Sequence, residues 1–572
     1  MKNLLKYLGY ASLTAVAVST LFMVNLFMMK PYSIDNFLAK ELVVGLIDSP
    51  EAMTYLGIFD NFNAVLKHNQ KLTIPSLEES EEDHADQIKA LTTLKKYNSE
   101  KLTDIQQITQ KIAIFDIEND INEFKNFRYH SYPFNQISGN HQSLVEFMTD
   151  MHPVRSEREA ADYIKRVELF DNVFAGNLLW LAKQKEQGIF APVFVFDHVI
   201  KQLTDMLATS VSDDPLYQVF ERKLSELDLS DEKKSNLLKE LTVAIDENVK
   251  PGFQSVLDYM NENYDSANKH HGVWSLPNGE DFYAARLRSY TTTDYSAEEI
   301  HQIGLSEVAR ISARMKEIFT ELGYAVDKPV GAMMNALNED PQFLYADTPD
   351  RKEIVIADYN QMVKDAEEAV KPYFNRLPVS PVEVRAVPEY SEQTAAGGYY
   401  QAPSLDGTRP GVFYANLYDI KQTPTFGMRT LTFHEAVPGH HFQIALNQEN
   451  EDLTLYRKMG YRTSAFTEGW ALYSEQLAVE VGMTTNLLDE LGVLQSEMFR
   501  ANRLVVDTGM HHKKWTREEA MTYMKNTTGM SDTEVRVEIE RYIVWPGQAT
   551  SYKMGMLKIL ELREKADRKS VV

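Results

Sequence analysis

The feature that most constrains this chain is an eight-residue run, His434-Glu435-Ala436-Val437-Pro438-Gly439-His440-His441. Apolar spacing on both sides makes residues 429–448 read as a helix, with Phe442, Ile444, Ala445 and Leu446 on its second half. A regular helix turns about 100° per residue, so His440 would point roughly 120° away from His434. His441 would align with His434 but lie about 10.5 Å further along the axis. Neither pairing brings two rings together on an undistorted helix. Pro438 donates no backbone hydrogen bond and Gly439 is permissive, so the chain is expected to leave regular helix there. A distortion that absorbs two residues would return His440 to the face of His434. His441 is the alternative if it does not.

Two histidines beside a glutamate suit a water-activating metal site, which needs three protein ligands, an open position and a base. The 572 residues contain no cysteine, which excludes thiolate ligands, disulfides and a lipid anchor on a processed N-terminal Cys. The third ligand must then be His, Asp or Glu. Glu468 and Glu475 fall seven apart, on one face of an apolar helix with Phe466, Trp470, Ala471, Leu472 and Leu477. A carboxylate there is costly unless paired or metal-bound. Glu468 is therefore expected as the third ligand, with Glu475 bonded to a ligand histidine or a nearby arginine.

The rest of the chain reads as mainly α: a large helical body with a deep active-site cleft. Ser156 with Glu159, Ser296 with Glu299 and Thr516 with Glu519 fit capping boxes. Helices are expected over 157–186, 296–322, 351–371, 465–482, 487–506 and 516–525. A small β-element is expected before the histidine run, from 380–387 and from 397–416, the latter two strands joined by a turn-rich loop. Residues 31–572 read as a single catalytic domain, with a lobe boundary near 270–290 if there are two lobes. Residues 7–29 carry no charge, with Lys2 and Lys6 before and Lys30 after, and no A-x-A pattern. That length suits an uncleaved signal anchor over residues 1–30 better than a cleaved signal peptide. The membrane is thus a partner through this segment, and the body is expected in the periplasm or another extracytoplasmic space. A formal net charge of −24 repels phosphates and excludes nucleic acid as a partner.

The run at 434–441 does not stand alone. Tyr132-Pro133-Phe134-Asn135-Gln136, Gly272-Val273-Trp274-Ser275-Leu276-Pro277-Asn278-Gly279, Thr291-Thr292-Thr293 and His301-Gln302-Ile303-Gly304-Leu305 precede it. Glu468-Gly469-Trp470-Ala471, Arg503-Leu504-Val505-Val506-Asp507-Thr508-Gly509 and Trp545-Pro546-Gly547-Gln548 follow. Together these resemble the bacterial family known as domain of unknown function 885, which is similar to gluzincin-type helical zinc metallopeptidases. The resemblance runs over roughly residues 35–566. It implies a mostly helical fold with a deep cleft, Zn2+ at His434, His440 and Glu468, and Glu435 as general base. It leaves the substrate open.

The expected chemistry is hydrolysis of a peptide or small amide, with Glu435 moving a proton from the attacking water to the leaving amine. An oxyanion donor is expected downstream, Tyr552 first and His512 next, with Tyr542 and His511 as further candidates. Arg500 and Arg503 are expected to pair with Glu475 or to bind a substrate carboxylate. Two other readings use the same residues. One is a metal-dependent hydrolase of non-peptide amides or esters. The other is a membrane-tethered binding protein whose structural metal would take both His440 and His441.

Overall fold

Hydroxyl side chains start the helices that position the site. Ser296 and Thr516 accept from the N–H groups of Glu299 and Glu519, whose side chains return to the cap residue, so both capping boxes form. At Ser156 only half of the box forms: Ser156 accepts from the Glu159 N–H, but the Glu159 carboxylate accepts from the Arg155 N–H at 2.6 Å instead. The computed structural model describes residues 24–26 and 30–570, apart from Ile58, 389–391, 393–395, 406–408, Ile420 and Gln422. The expected anchor over 7–29 therefore lies, but for residues 24–26, outside the described residues. Among the described residues no helix is long and apolar enough to cross a membrane. The fold is mainly α with a three-stranded sheet.

The chain divides into two compact units, Met1–His270 with Thr454–Tyr456, and His271–Leu453 with Arg457–Val572. In the first, the helix expected over 157–186 is two helices, Glu157–Val167 and Phe170–Glu186. Leu169 donates to the Arg166 carbonyl at 3.0 Å, a tightened last turn that ends the first helix. Apolar spacing continues through Val167, Phe170 and Phe174, so periodicity gives no sign of the break. Arg166 is fully buried here. It donates to the carbonyls of Lys71, Pro50 and His68, to Thr54 Oγ1, and to His152 Nδ1.

The second unit holds every expected site residue. Strands β1 (Val382–Ala386), β2 (Gly398–Gln401) and β3 (Gly411–Ala415) form a sheet in the order β1-β3-β2, parallel between β1 and β3 and antiparallel between β2 and β3. The helix Arg351–Val370 and the helix Thr425–Glu435 share one core with the sheet: Val355, Tyr359 and Val363, Val384 and Phe413, Met428 and Phe433. A second core packs the helix Ala297–Glu321 on the helix Leu487–His511 through Ile311, Met315, Met498, Ala501 and Val505. Burying each of these side chains contributes on the order of 2 kcal/mol, so the helices that carry the site rest on well-packed supports.

Candidate metal centre

The helix that carries His434 ends at Glu435, and a new one, His440–Glu449, begins at His440. The helix expected over 429–448 is thus broken rather than bent. Between the two, the Val437–Pro438 peptide bond is cis. Phe442 donates to the Ala436 carbonyl at 3.2 Å, a span of six residues where a helix would use four. Two residues are absorbed, as the histidine spacing requires. Gly439 is needed in this loop: a Cβ there would lie 1.9 Å from the His434 carbonyl oxygen. Trp470 holds the loop from outside, its Nε1 donating to the Pro438 carbonyl at 2.8 Å.

The break brings His434 and His440 together, ring centroids 4.8 Å apart and planes near perpendicular at 84°. Glu468 arrives from the helix Ser464–Glu480. Its Oε2 is 3.6 Å from His434 Nε2 and 3.5 Å from His440 Nε2. These three residues form a group able to hold a metal ion, their donor atoms all within 4.8 Å of one another. Behind it, Glu475 Oε1 accepts from His434 Nδ1 at 2.6 Å, which directs Nε2 toward the group. Burial disfavours charge on His434, but the carboxylates of Glu468 and Glu475 outweigh it and push the ring up to about 10. Glu468, in turn, is held well below the usual carboxylate range: burial raises it, and the two histidines more than offset that. The group is therefore built to hold positive charge.

Close helix packing explains the Glu468-Gly469-Trp470 motif. A Cβ on Gly469 would lie 2.5 Å from the Gly555 backbone, and one on Gly555 would lie 1.9 Å from the Ala465 carbonyl oxygen. The two glycines let the helix Ser551–Ser570 cross the Glu468 helix at backbone contact.

Glu435 is buried and its Oε2 has no hydrogen-bond partner. Its charge bears on Tyr359 of the helix Arg351–Val370. Burial is the largest cause that pushes that hydroxyl up, followed by Tyr345 and then Glu435. Nothing in the sequence pointed to Tyr359. His440 Nδ1 and Glu475 Oε2 are also buried without partners. Buried polar atoms are normally paired, so several orphans around one point mark a place where something binds.

Other expected residues lie elsewhere. His441 is not in the metal group; its Nδ1 is 2.9 Å from the Tyr400 hydroxyl and ties the helix to β2. His512 is pulled to an exposed position, its Nε2 3.4 Å from Glu298 Oε2, where Lys513 also binds. His511 uses both nitrogens, Nδ1 on the Val273 N–H and Nε2 on the Tyr542 carbonyl. Arg503 does not pair with Glu475; it donates to Tyr542 Oη at 2.9 Å and Glu538 Oε2 at 3.1 Å. Tyr542 donates to Glu538 in turn. The Tyr552 ring lies 4.3 Å beneath the Arg503 guanidinium, and its hydroxyl is 3.4 Å from Arg541 Nη2. Among the described residues it makes no hydrogen bond to His434, Glu435, His440 or Glu468.

Comparison with known proteins extends over most of the chain. A family model described as "Bacterial protein of unknown function (DUF885)" matches residues 50–570. The structure described as a "putative lipoprotein" from Colwellia psychrerythraea is 35% identical and superposes with a TM-score of 0.86, covering 92% of this chain and 93% of that one. A "putative lipoprotein of unknown function" from Shewanella oneidensis, 17% identical, shares the fold with a TM-score of 0.71 over 93% of each chain. A Bacillus anthracis structure described as a "putative oligoendopeptidase F" reaches a TM-score of only 0.31 at 13% identity and carries no argument. No curated protein matches.

Proposed function

This chain belongs to the DUF885 family of bacterial proteins, and within it we propose a zinc-dependent hydrolase that cleaves peptide bonds, with Glu435 as general base. The observation that carries the reading is one convergence: two imidazoles and one carboxylate oxygen around a point, with an unpartnered carboxylate on the residue next to His434. The donor set fits zinc. Two atoms about 2.1 Å from a tetrahedral ion lie about 3.4 Å apart, and the separations from Glu468 Oε2 to the two histidine nitrogens are 3.5 and 3.6 Å. His2Glu without thiolate is also a catalytic rather than a closed structural set. With His441 committed to Tyr400, the four-ligand structural site loses its fourth donor.

A zinc ion held there supplies Lewis acidity toward the substrate carbonyl and makes water nucleophilic near neutral pH. His434 and His440 present Nε2, and Glu468 presents Oε2. Glu475 fixes the His434 tautomer through Nδ1. Glu435 takes the water proton at Oε2 and passes it to the leaving amine. The loop at 436–439, pinned by Trp470, holds both histidines at fixed distance, which keeps the geometry preorganised.

We place the body outside the cytoplasm, tethered by residues 7–29. Two structural relatives are described as putative lipoproteins, and a chain without cysteine would use an apolar span in place of a lipidated residue. The function is tested by Glu435→Gln: zinc measured by metal analysis should stay stoichiometric while hydrolysis of a peptide library is lost. Near-wild-type turnover in that variant removes Glu435 from the mechanism, and hydrolysis confined to esters or non-peptide amides would redirect the substrate class. Alkaline carbonate extraction tests the tether; a fully extracted protein refutes it.

A further inference from the structure

The residues that follow the uncharged N-terminal run are fastened to the first unit by one tyrosine. Asn25 is buried; its Nδ2 donates to the Lys30 carbonyl at 3.1 Å, and its Oδ1 accepts from the Tyr32 N–H at 3.0 Å. The Tyr97 hydroxyl donates to the Pro31 carbonyl at 2.7 Å, and Lys30 Nζ lies 4.4 Å over the Tyr97 ring. Ser33 then caps the helix Ile34–Ile47 by accepting from the Asp35 N–H, and Phe37 of that helix packs on the same Tyr97, ring centroids 6.1 Å apart. Residues 30–33 are therefore no free linker. A body tethered by the run cannot swing away from the bilayer.

The helix so fastened is unusual on its outer side. Ile34, Phe37 and Leu38 share one face and are buried with Leu94, Tyr97 and Ala113. A surface helix normally turns polar residues away from its buried face. Here Val43, Val44 and Ile47 stand 39, 40 and 45% exposed. At about 100° per residue they fall within one arc of about 100°, centred about 120° from the buried one. No charge lies between Glu41 and Asp48. Exposed apolar side chains continue at Tyr55, Phe62 and Val65. From Leu42 to Leu66 the only charged residues are Asp48, Glu51 and Asp60; Glu51 accepts from Thr73, and Asp60 pairs with Arg155.

We propose that the face of Val43, Val44 and Ile47 rests in the headgroup boundary of the bilayer that the uncharged run crosses, so that the first unit is docked on the membrane. The inference rests on the tether reading and on no part of the hydrolase reading. Proximity favours lipid over a second copy of the chain: Ile34 follows Lys30 by four residues, at most about 14 Å of extended chain. Tyr32, between the two, is 86% exposed, and an amphipathic ring of this kind settles at a membrane interface. Lys30 reaches the carbonyl of exposed Lys96 at 3.4 Å, which brings two basic residues to the level of the lipid phosphates. Insertion of an apolar face also suits a chain whose net charge of −24 gives anionic lipid no general attraction.

The chain has no cysteine, so a single introduced one labels the full-length protein at one place. Val43→Cys and Ile47→Cys, each carrying an environment-sensitive fluorophore, are compared with Val243→Cys, an exposed apolar site on another helix of the first unit. The proteins are reconstituted in vesicles of phosphatidylcholine and phosphatidylglycerol. Labels at 43 and 47 should be shielded from aqueous iodide and quenched by nitroxide-bearing lipid, at a depth of about 5–10 Å; the label at 243 should do the opposite. Adding Val44→Asp should restore iodide quenching at 47 while the protein still resists carbonate extraction. Equal iodide access at 43, 47 and 243 overturns the docked face, and resistance to carbonate then leaves the tether standing. Shielding from iodide without quenching by lipid means that protein covers the face, a second copy or the run itself, and also overturns it. Lipid quenching at 43 and 47 in a protein that carbonate fully extracts refutes the tether and leaves the docked face.

Discussion

Two regions of the second unit hold buried polar side chains that differ in a single respect. At the metal group, Glu435 Oε2, His440 Nδ1 and Glu475 Oε2 lack partners. On the helix Leu487–His511, Asp507 and His511 are just as buried but fully used. Asp507 accepts from the Tyr283 hydroxyl at 2.5 Å and from the Gly547 N–H at 3.1 Å. His511 accepts from Val273 N–H at Nδ1 and donates from Nε2 to the Tyr542 carbonyl. These bonds pin the segment at Val273 and the loop before the Tyr552 helix to one scaffold. Burial of polar groups is common to both regions; satisfaction is what separates support from site.

The comparison breaks if damage in the two regions has the same consequence. The largest expected effect is in the unsatisfied region: Glu435→Gln should cut turnover roughly 10²- to 10⁴-fold with no fall in Tm, because the glutamine leaves no new atom unpaired. A Tm drop of several degrees would show that Glu435 supports the fold. Next, Asp507→Ala strands the Gly547 N–H and the Tyr283 hydroxyl and should cost roughly 3 kcal/mol in denaturant unfolding. Zinc content per folded molecule should not change; loss of zinc would couple the two regions. Third, Glu475→Gln weakens the hold on His434 Nδ1 and should lower zinc affinity about 10- to 100-fold by competition with a chelator. Unaltered affinity would detach Glu475 from the metal group.

The last effect is a pH dependence in the satisfied region. Burial pushes Asp507 up to about 7, against the bonds from Tyr283 and Gly547 that lower it. Burial holds His511 down at about 4. The folded state therefore keeps a proton on Asp507 that the unfolded chain releases near pH 4, and stability falls as pH rises from there toward 7. His511 acts oppositely. Its stabilising share is present above its ordinary value near 6.5 and is lost as pH falls toward 4. Asp507→Asn removes only the first contribution. Its Tm relative to wild type should climb between pH 4 and pH 7 and then level off; parallel Tm curves would show that Asp507 is ionised throughout.

Much of the site was readable in the order of residues. His434 and His440 could meet only if the helix lost register at Pro438-Gly439, and Glu468 could be singled out as a costly carboxylate on an apolar face. Long-range contacts decide where the other candidates lie. His512 had suitable chemistry, but the helix ends one residue before it and turns it onto Glu298. Arg503 matched Glu475 in charge, but Tyr542 and Glu538 reach it first. Tyr359 gave no signal because its helix reads as ordinary packing until the fold sets it in one core with Phe433 of the His434 helix.

By itself, the sequence determined the local breaks and caps: a helix that cannot pass Pro438, boxes at Ser296 and Thr516, a donor set without thiolate. These depend on residues within a few positions of one another, where covalent geometry and single hydrogen bonds suffice. Tertiary structure alone decided which buried polar atoms found partners. Asp507 met Tyr283 across 224 residues of chain, while Arg500, on the same helix, has no carboxylate partner among the described residues. That outcome depends on which helices approach closely enough to pack, as at Gly469 and Gly555, and no spacing along the chain encodes it.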